Sequence, residues 1–229
     1  MNSLQTFWSG LDWSVLTNLL LRVVPALLCI TLHELCHGLT AYWLGDDTAK
    51  NAGRLSLNPL RHFDPLGTVM MVVLGFGWAK PVPVNMYKFK NPKAGMALTA
   101  AAGPLSNLLL TLLTLFLYGL LYLPLTRAGT ALSSFVLKTI TTTATLSLAL
   151  AVFNVLPISP LDGSKVAFAF LSDSAYAKLM RYERFGMLVL IALSVTGALG
   201  GPLSTAIDWC LDRLMPVADL GYQLGTGLF

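Results

Sequence analysis

The apolar stretch at about residues 13–44 constrains the fold more than any other feature of this sequence. It is longer than the roughly 20 residues that a helix needs to cross a bilayer. A membrane-spanning helix with a kink at Pro25 is therefore predicted. The same stretch carries His33, Glu34 and His37. Because ionisable side chains are costly within a span and usually mark function, this helix is predicted to hold a site.

The composition also indicates a membrane protein. Apolar residues make up 55% of the 229 residues and charged residues only 11%, whereas soluble globular chains carry about 25% charged residues. Most of the surface must therefore be covered by lipid. The net charge of +4 fits anionic lipid headgroups, and no nucleic-acid partner is expected.

Three further apolar stretches predict membrane spans, at about residues 94–123, 134–156 and 185–199. The segment Leu66–Ala79 is too short to cross comfortably, and a re-entrant loop or short β-hairpin is predicted there. The tail from Pro202 is expected to lay an apolar face along the membrane interface. The predicted fold is an all-α polytopic membrane protein with about four to six transmembrane helices and this re-entrant element.

No linker or internal repeat divides the chain, so a single transmembrane domain over residues 1–229 is predicted. Its core is expected at about residues 14–171, and a C-terminal span and tail at 183–229. Eleven of the 15 basic residues lie in three loops. These loops are residues 45–65, 80–93 and 164–184. By the positive-inside rule they face the cytoplasm, and the site is expected to open toward that side of the cell (inner) membrane.

The spacing of His33 and His37 places both imidazoles on one face of a helix. With Glu34 they form the H-E-x-x-H pattern, in which the histidines bind Zn²⁺ and the glutamate takes a proton from the metal-bound water. Short matches of this kind also arise by chance in soluble helices. Here the chain has only three histidines and two of them lie in the motif, which favours a metal site.

A catalytic zinc site needs a third protein ligand and an open position. Asp162 is the candidate, because it follows an apolar span at a point where Pro157 and Pro160 interrupt the helix. An unwound helix end can aim a carboxylate inward. The alternative is an ordinary Asp-Gly turn without a metal. Cys36 is interpreted as a packing residue, and His62 as a residue that orders its own loop.

Together these motifs resemble the site-2 protease family of intramembrane zinc metalloproteases, peptidase family M50. The match is close to small bacterial and archaeal members that lack a PDZ or CBS domain. The stretches that carry the resemblance are "HELCH", "NAGRLSLNPLRHFDPLGT", "GWAKPVPVN", "AAGPLSNLLL" and "FNVLPISPLDG". The resemblance implies one Zn²⁺ per chain, with His33, His37 and Asp162 as its ligands. It implies that Glu34 is the catalytic base.

The same resemblance assigns two asparagines. Asn154 falls on the asparagine that holds the substrate or the oxyanion, a catalytic and substrate-binding role. Asn107 falls on the asparagine of the G-P-x-x-N motif, and it is expected either to bind substrate or to join helices.

The implied activity is hydrolysis of peptide bonds in or near transmembrane segments of membrane proteins, as in regulated intramembrane proteolysis. The expected partners are a membrane-protein substrate with a transmembrane helix and the lipid bilayer, while a homo-oligomer or an adaptor protein is left open. Residues Leu66–Asn85 are expected to pair with the extended substrate as an added strand. A membrane metal transporter, which would not need Glu34, and a non-catalytic scaffold are the alternative functions.

Overall fold

The structure is a computed structural model, and it describes residues 13–62, 64 and 80–228. Long helices dominate these residues, and none of them lies in a β-strand. The predicted all-α class is therefore confirmed. The re-entrant loop or hairpin predicted at Leu66–Ala79 lies outside the described residues.

The described part of the chain forms long helices joined by short ones. The α-helices are α1 (Trp13–Trp43), α2 (Thr48–Asn51), α3 (Pro92–Ala128), α4 (Ala131–Val155), α5 (Asp162–Phe168), α6 (Asp173–Arg181), α7 (Glu183–Val195) and α8 (Gly200–Leu228). Short 3₁₀ turns cover Pro59–Arg61 and Met86–Lys88. Helices α1, α3 and α4 are each long and apolar enough to cross a membrane, and α7 with α8, bent by 87° at a short break, is long and apolar enough only if the two are taken together. The described residues thus contain three spans, or four if the bent pair counts as one, and four is the lowest number expected from the sequence.

The tight connection between α3 and α4 follows from local capping. Helix α3 begins after Asn91, whose side chain accepts a hydrogen bond from a first-turn amide, and it ends at Gly129 in the left-handed conformation. Helix α4 then begins with a capping box between Thr130 and Ser133. A helix-ending residue directly followed by a helix-starting residue therefore joins α3 to α4 with hardly any loop between them.

Prolines within the spans do not break them. Helix α1 is continuous through Pro25, where the sequence predicts a kink, and α3 is continuous through Pro104 and Pro124. Transmembrane helices tolerate proline because neighbouring groups satisfy the freed carbonyls.

Helix α3 lies at the centre of the bundle and packs against α1, α4, α5 and α8. Its contact with α8 is made by backbone against backbone. A Cβ at Gly119 would lie 1.8 Å from the carbonyl oxygen of Ala218, and a Cβ at Gly221 would lie 2.2 Å from that of Phe116. Small residues permit this approach. The tail that the sequence places along the interface is thus a helix packed into the bundle.

Candidate metal centre

Helix α1 presents His33 and His37 one turn apart on its buried face. Their ring centroids lie 4.6 Å apart with the planes at 89°, and the two residues are only 7% and 8% exposed. Buried imidazoles need partners for both ring nitrogens, because an unpaired buried polar group costs free energy. The groups that contact the ring nitrogens of His33 and His37 therefore indicate which ligand the site can bind.

Asp162, at the start of α5, closes onto both histidines. Its Oδ2 lies 3.1 Å from Nε2 of His33 and 3.2 Å from Nε2 of His37. Among the described residues, these three form the group of side chains that could hold a metal ion. The structure thus brings together the three residues that the resemblance names as ligands.

The donor set fits Zn²⁺. Tetrahedral zinc sites with nitrogen and oxygen ligands at about 2.0–2.2 Å place their ligand atoms about 3.3–3.6 Å apart, slightly more than the two distances to Asp162 seen here. Nδ1 of His37 lies 2.7 Å from the carbonyl oxygen of Thr99, to which only a protonated nitrogen can donate. In the neutral ring this leaves the lone pair of Nε2 for a metal.

Asn107 supports the other histidine from behind. The residue is fully buried, and its Nδ2 lies 3.1 Å from Nδ1 of His33. Its Oδ1 has no hydrogen-bond partner within the described residues. When the side-chain amide of Asn107 is rotated by 180°, its Oδ1 accepts a hydrogen bond from a protonated Nδ1 of His33. This satisfies the buried oxygen and again leaves Nε2 of His33 for a metal. This position favours the support of a ligand, while direct contact of Asn107 with substrate stays a prediction.

Gly103 lets the backbone of α3 lie directly against the two imidazoles. A Cβ at this position would stand 2.5 Å from Nε2 of His37 and 2.6 Å from Cε1 of His33. Real Cβ atoms do not approach other atoms so closely, so a side chain here would displace the rings. The stretch "AAGPLSNLLL" is one of those that carry the family resemblance, but the sequence does not identify Gly103 as part of the site. The sequence signal that could have identified Gly103 is its place within a span, directly before Pro104.

Glu34 is held by a residue that the sequence interpretation missed. Its Oε2 accepts a hydrogen bond of 2.9 Å from the backbone N–H of Val82. Val82 is 8% exposed and belongs to the stretch "AKPVPVN". A carboxylate has further acceptor capacity after one hydrogen bond, so Glu34 can still accept from a water molecule.

Two glycines allow the backbone around Asp162 to pack closely. A Cβ at Gly163 would lie 2.1 Å from the carbonyl oxygen of Val155, and a Cβ at Gly186 would lie 2.0 Å from that of Ser159. Gly163 is helical and forms the first turn of α5 with Asp162, so the two residues belong to a helix and not to an isolated Asp-Gly turn. The glycine is needed for close packing against the end of α4.

Two other candidate residues, Asn154 and His62, make no hydrogen bond to the ligand group within the part of the chain that the structure describes. Asn154 donates from Nδ2 to the carbonyl of Leu150 in its own helix at 3.0 Å, and the hydrogen bonds of the described residues do not connect it to the histidines. Its catalytic role stays a prediction. His62 is 2% exposed and contacts the carbonyl of Ser56 at 2.9 Å, in agreement with its expected role in ordering the loop.

The fold and the site together define a class of protein, a membrane metalloprotease whose H-E-x-x-H helix is closed by one carboxylate. The sequence profile described as Peptidase family M50 matches residues 121–197. The chain is 39% identical over 187 residues to "Putative zinc metalloprotease YwhC" of Bacillus subtilis, covering 82% of this chain and 83% of the relative. It is 30% identical over 193 residues to "Putative zinc metalloprotease Rip2" of Mycobacterium tuberculosis, covering 81% and 71%. No solved structure gives a significant match.

The chain belongs to peptidase family M50. It is a zinc metalloprotease of the site-2 type, and its cofactor is Zn²⁺. The resemblance drawn from the sequence motifs is thus confirmed, as are the enzyme class and the membrane-spanning helices.

Proposed function

We propose that this protein cleaves peptide bonds in or near the transmembrane segments of other membrane proteins, in regulated intramembrane proteolysis. The observation that carries the proposal is the convergence of His33, His37 and Asp162 within a bundle of membrane-spanning helices. Ionisable groups held at such a place are expensive and mark a functional site. A substrate helix beside this bundle could present its scissile bond without leaving the membrane.

The chain's own residues divide the chemistry between them. His33 and His37 through Nε2, and Asp162 through its carboxylate, would hold the metal. A bound zinc ion polarises the substrate carbonyl and lowers the pKa of a coordinated water toward about 7. Glu34 accepts the proton from the attacking water and returns it to the leaving amine. The Thr99 carbonyl keeps the His37 ring in one orientation throughout.

Asn154 is proposed to contact the substrate carbonyl or the developing oxyanion. One N–H of its amide donates to Leu150, and the second is the one assigned to the substrate. An amide donor aimed at developing charge stabilises a transition state.

The orientation proposed for the site is supported by the course of the chain. His37 lies six residues before the end of α1 at Trp43, about 9 Å along the axis. Thr99 is in the second turn of α3, and Asp162 follows the end of α4. All three therefore lie toward the ends of the spans that the basic loops connect. By the positive-inside rule we propose that the site opens toward the cytoplasm.

The segment proposed to pair with the substrate as an added strand is shorter than the expected Leu66–Asn85. Pro81 and Pro83 have no N–H to donate. The N–H of Lys80 bonds the carbonyl of His62 at 3.0 Å, and that of Val82 bonds Glu34. With the N–H of Asn85 donating to Asp46, the segment Lys80–Asn85 therefore has few backbone donors left for a substrate strand. Pairing with an extended substrate is proposed only for Leu66–Ala79, outside the described residues.

The test uses a single-span reporter in proteoliposomes, cleaved by the wild type and by Glu34→Gln, with bound zinc measured in both. The expected result is loss of cleavage with zinc retained. A matched reporter carries the same scissile sequence in a soluble linker. Preference for the membrane-embedded copy supports intramembrane action, whereas equal or better cleavage of the soluble copy contradicts it. Zinc flux without cleavage would favour the transporter alternative.

A further inference from the structure

The carboxylate of Glu34 is held by an extended segment of irregular structure, Lys80–Asn85, here called the proline segment. Because Pro81 and Pro83 lack an N–H, Val82 supplies the one backbone donor between them. The N–H of Val82 donates its hydrogen bond to Oε2 of Glu34. No helix or sheet of the described residues contains the segment. Other contacts must therefore keep Val82 in place.

Arg54 holds the front of the proline segment. Its Nη2 donates to the carbonyl of Lys80 and, at 3.4 Å, to that of Pro81, the two carbonyls that directly precede Val82. Arg54 is only 7% exposed. A buried guanidinium is costly unless hydrogen-bonded, and charge-assisted bonds are stronger than neutral ones. These two hydrogen bonds from Arg54 therefore fix the backbone of Lys80 and Pro81.

Asp46 holds the other end of the proline segment. Its side chain is fully buried, and its Oδ2 accepts the N–H of Asn85 at 2.6 Å. The backbone N–H of Asp46 donates to the carbonyl of Ala41 in α1 at 2.8 Å. Helix α1 also carries Glu34. The contacts therefore form a closed path from α1 through Asp46, the proline segment and Val82 back to α1.

The Asp46 carboxylate is charged in this setting. Burial by itself would raise the pKa of this carboxyl, but hydrogen bonds from the Thr48 side chain and from the backbone of Asn85 and Thr48, with the nearby Lys88 ammonium, hold the pKa below its usual value. The acceptor that fixes Asn85 is thus an anion, which strengthens the bond.

We propose that Arg54 and Asp46 are positioning residues of the protease, which brace the proline segment from its two ends so that Val82 fixes the carboxylate of Glu34. This inference rests on the proposed role of Glu34 as the base. Neither residue contacts the metal ligands in the hydrogen bonds described. Both act through Val82, because a general base must meet its proton at hydrogen-bonding distance in a defined orientation.

A double-mutant cycle on the full-length zinc-loaded enzyme tests the path. Val82→Pro removes the donor in backbone that is already extended, and Arg54→Lys weakens the brace while keeping the charge. Each single change is expected to lower kcat about tenfold or more with KM and bound zinc unchanged. The double variant should be no slower than the slower single variant, because both changes break one contact. Multiplied effects, or a rise in KM alone, overturn the inference.

Arg61→Lys is the matched control, because Arg61 lies in the same loop, is exposed and donates to the Gly53 carbonyl instead of the proline segment. It should leave kcat unchanged. If Arg54→Lys fails to fold, Asp46→Asn replaces it in the cycle with the same two outcomes.

Hydrogen–deuterium exchange tests the brace without reference to activity. A peptide covering residues 80–85 should exchange slowly in the wild type and at least tenfold faster in Arg54→Lys and Asp46→Asn, with Arg61→Lys unchanged. If the exchange rate is unchanged in both variants, the proposal that Arg54 and Asp46 hold the proline segment in place is wrong, whatever the activity of the variants. Cleavage that survives Glu34→Gln would instead refute the proposed role of Glu34 and leave the exchange result standing, so the two failures are distinguishable.

Discussion

The side-chain amide of Asn107 lies 3.1 Å from Nδ1 of His33, while the other nitrogen of the same ring faces Asp162. Helix α3 thus supports a proposed ligand that helix α1 supplies. Partners of this kind fix the tautomer and orientation of a metal-bound histidine.

Replacement of Asn107 separates ligand support from substrate contact. Asn107→Leu keeps the branched shape of the side chain but removes the acceptor, and zinc affinity is expected to fall about 10- to 100-fold. Asn107→Asp restores an acceptor for Nδ1–H and should recover most of the affinity. Zinc competition with a chelator measures both. A raised KM with unchanged zinc affinity in Asn107→Leu would point to substrate contact instead.

Gly103→Ala should disable the metal centre through one methyl group. The new Cβ would lie 2.5 Å from Nε2 of His37, so either the ring or helix α3 must move. Zinc content and proteolysis are both expected to drop by at least tenfold. Gly201→Ala is the matched control, because a Cβ there meets nothing within 4 Å. Full zinc content in Gly103→Ala would show that the rings tolerate the displacement.

Gly186→Ala should act on Asp162 from a neighbouring helix. The added Cβ would lie 2.0 Å from the carbonyl oxygen of Ser159, in the loop that leads to Asp162. Overpacking of this kind costs about 1–3 kcal/mol of stability. Thermal unfolding and zinc affinity should fall together, whereas Gly200→Ala, with open space around its Cβ, should change neither. A loss of stability at constant zinc affinity would separate this contact from the site.

The contribution of Asp46 to stability should depend on pH. Its pKa is lowered in the folded protein, so the native state binds fewer protons and the contribution is complete above the ordinary aspartate pKa of about 3.9. It is lost as the pH falls through the lower folded value. The difference in Tm between the wild type and Asp46→Asn should therefore be largest near neutral pH and shrink below about pH 4.

Asp47→Asn provides the comparison for Asp46. The hydrogen bond from Lys88 lowers the pKa of Asp47 as well, but this ion pair is exposed, and water and salt screen it. Its effect on Tm should be small at every pH. Equal effects of the two substitutions would contradict a special role for the buried carboxylate.

The ends of α1 and α4 could be predicted closely because their signals are local, whereas α3 extends to Ala128, five residues beyond the prediction. Helix α1 ends at Trp43 and α4 at Val155, within one residue of the sequence prediction, since hydropathy and turn residues are written along the chain. The packing of α8 could not be predicted in this way. Its glycines show that something approaches closely, but only the folded bundle identifies α3 as the neighbour.

The sequence by itself determined the chemistry of this protein: an apolar span with two histidines and a glutamate at helical spacing, and an aspartate at the end of a later span. These are properties of residue type and period, which a chain carries before it folds. Only the tertiary structure decided what holds that chemistry in place. Gly103 against the imidazoles, Asn107 behind His33 and Val82 on Glu34 each join distant segments. Such contacts depend on how close two backbones come, and helix packing sets that distance.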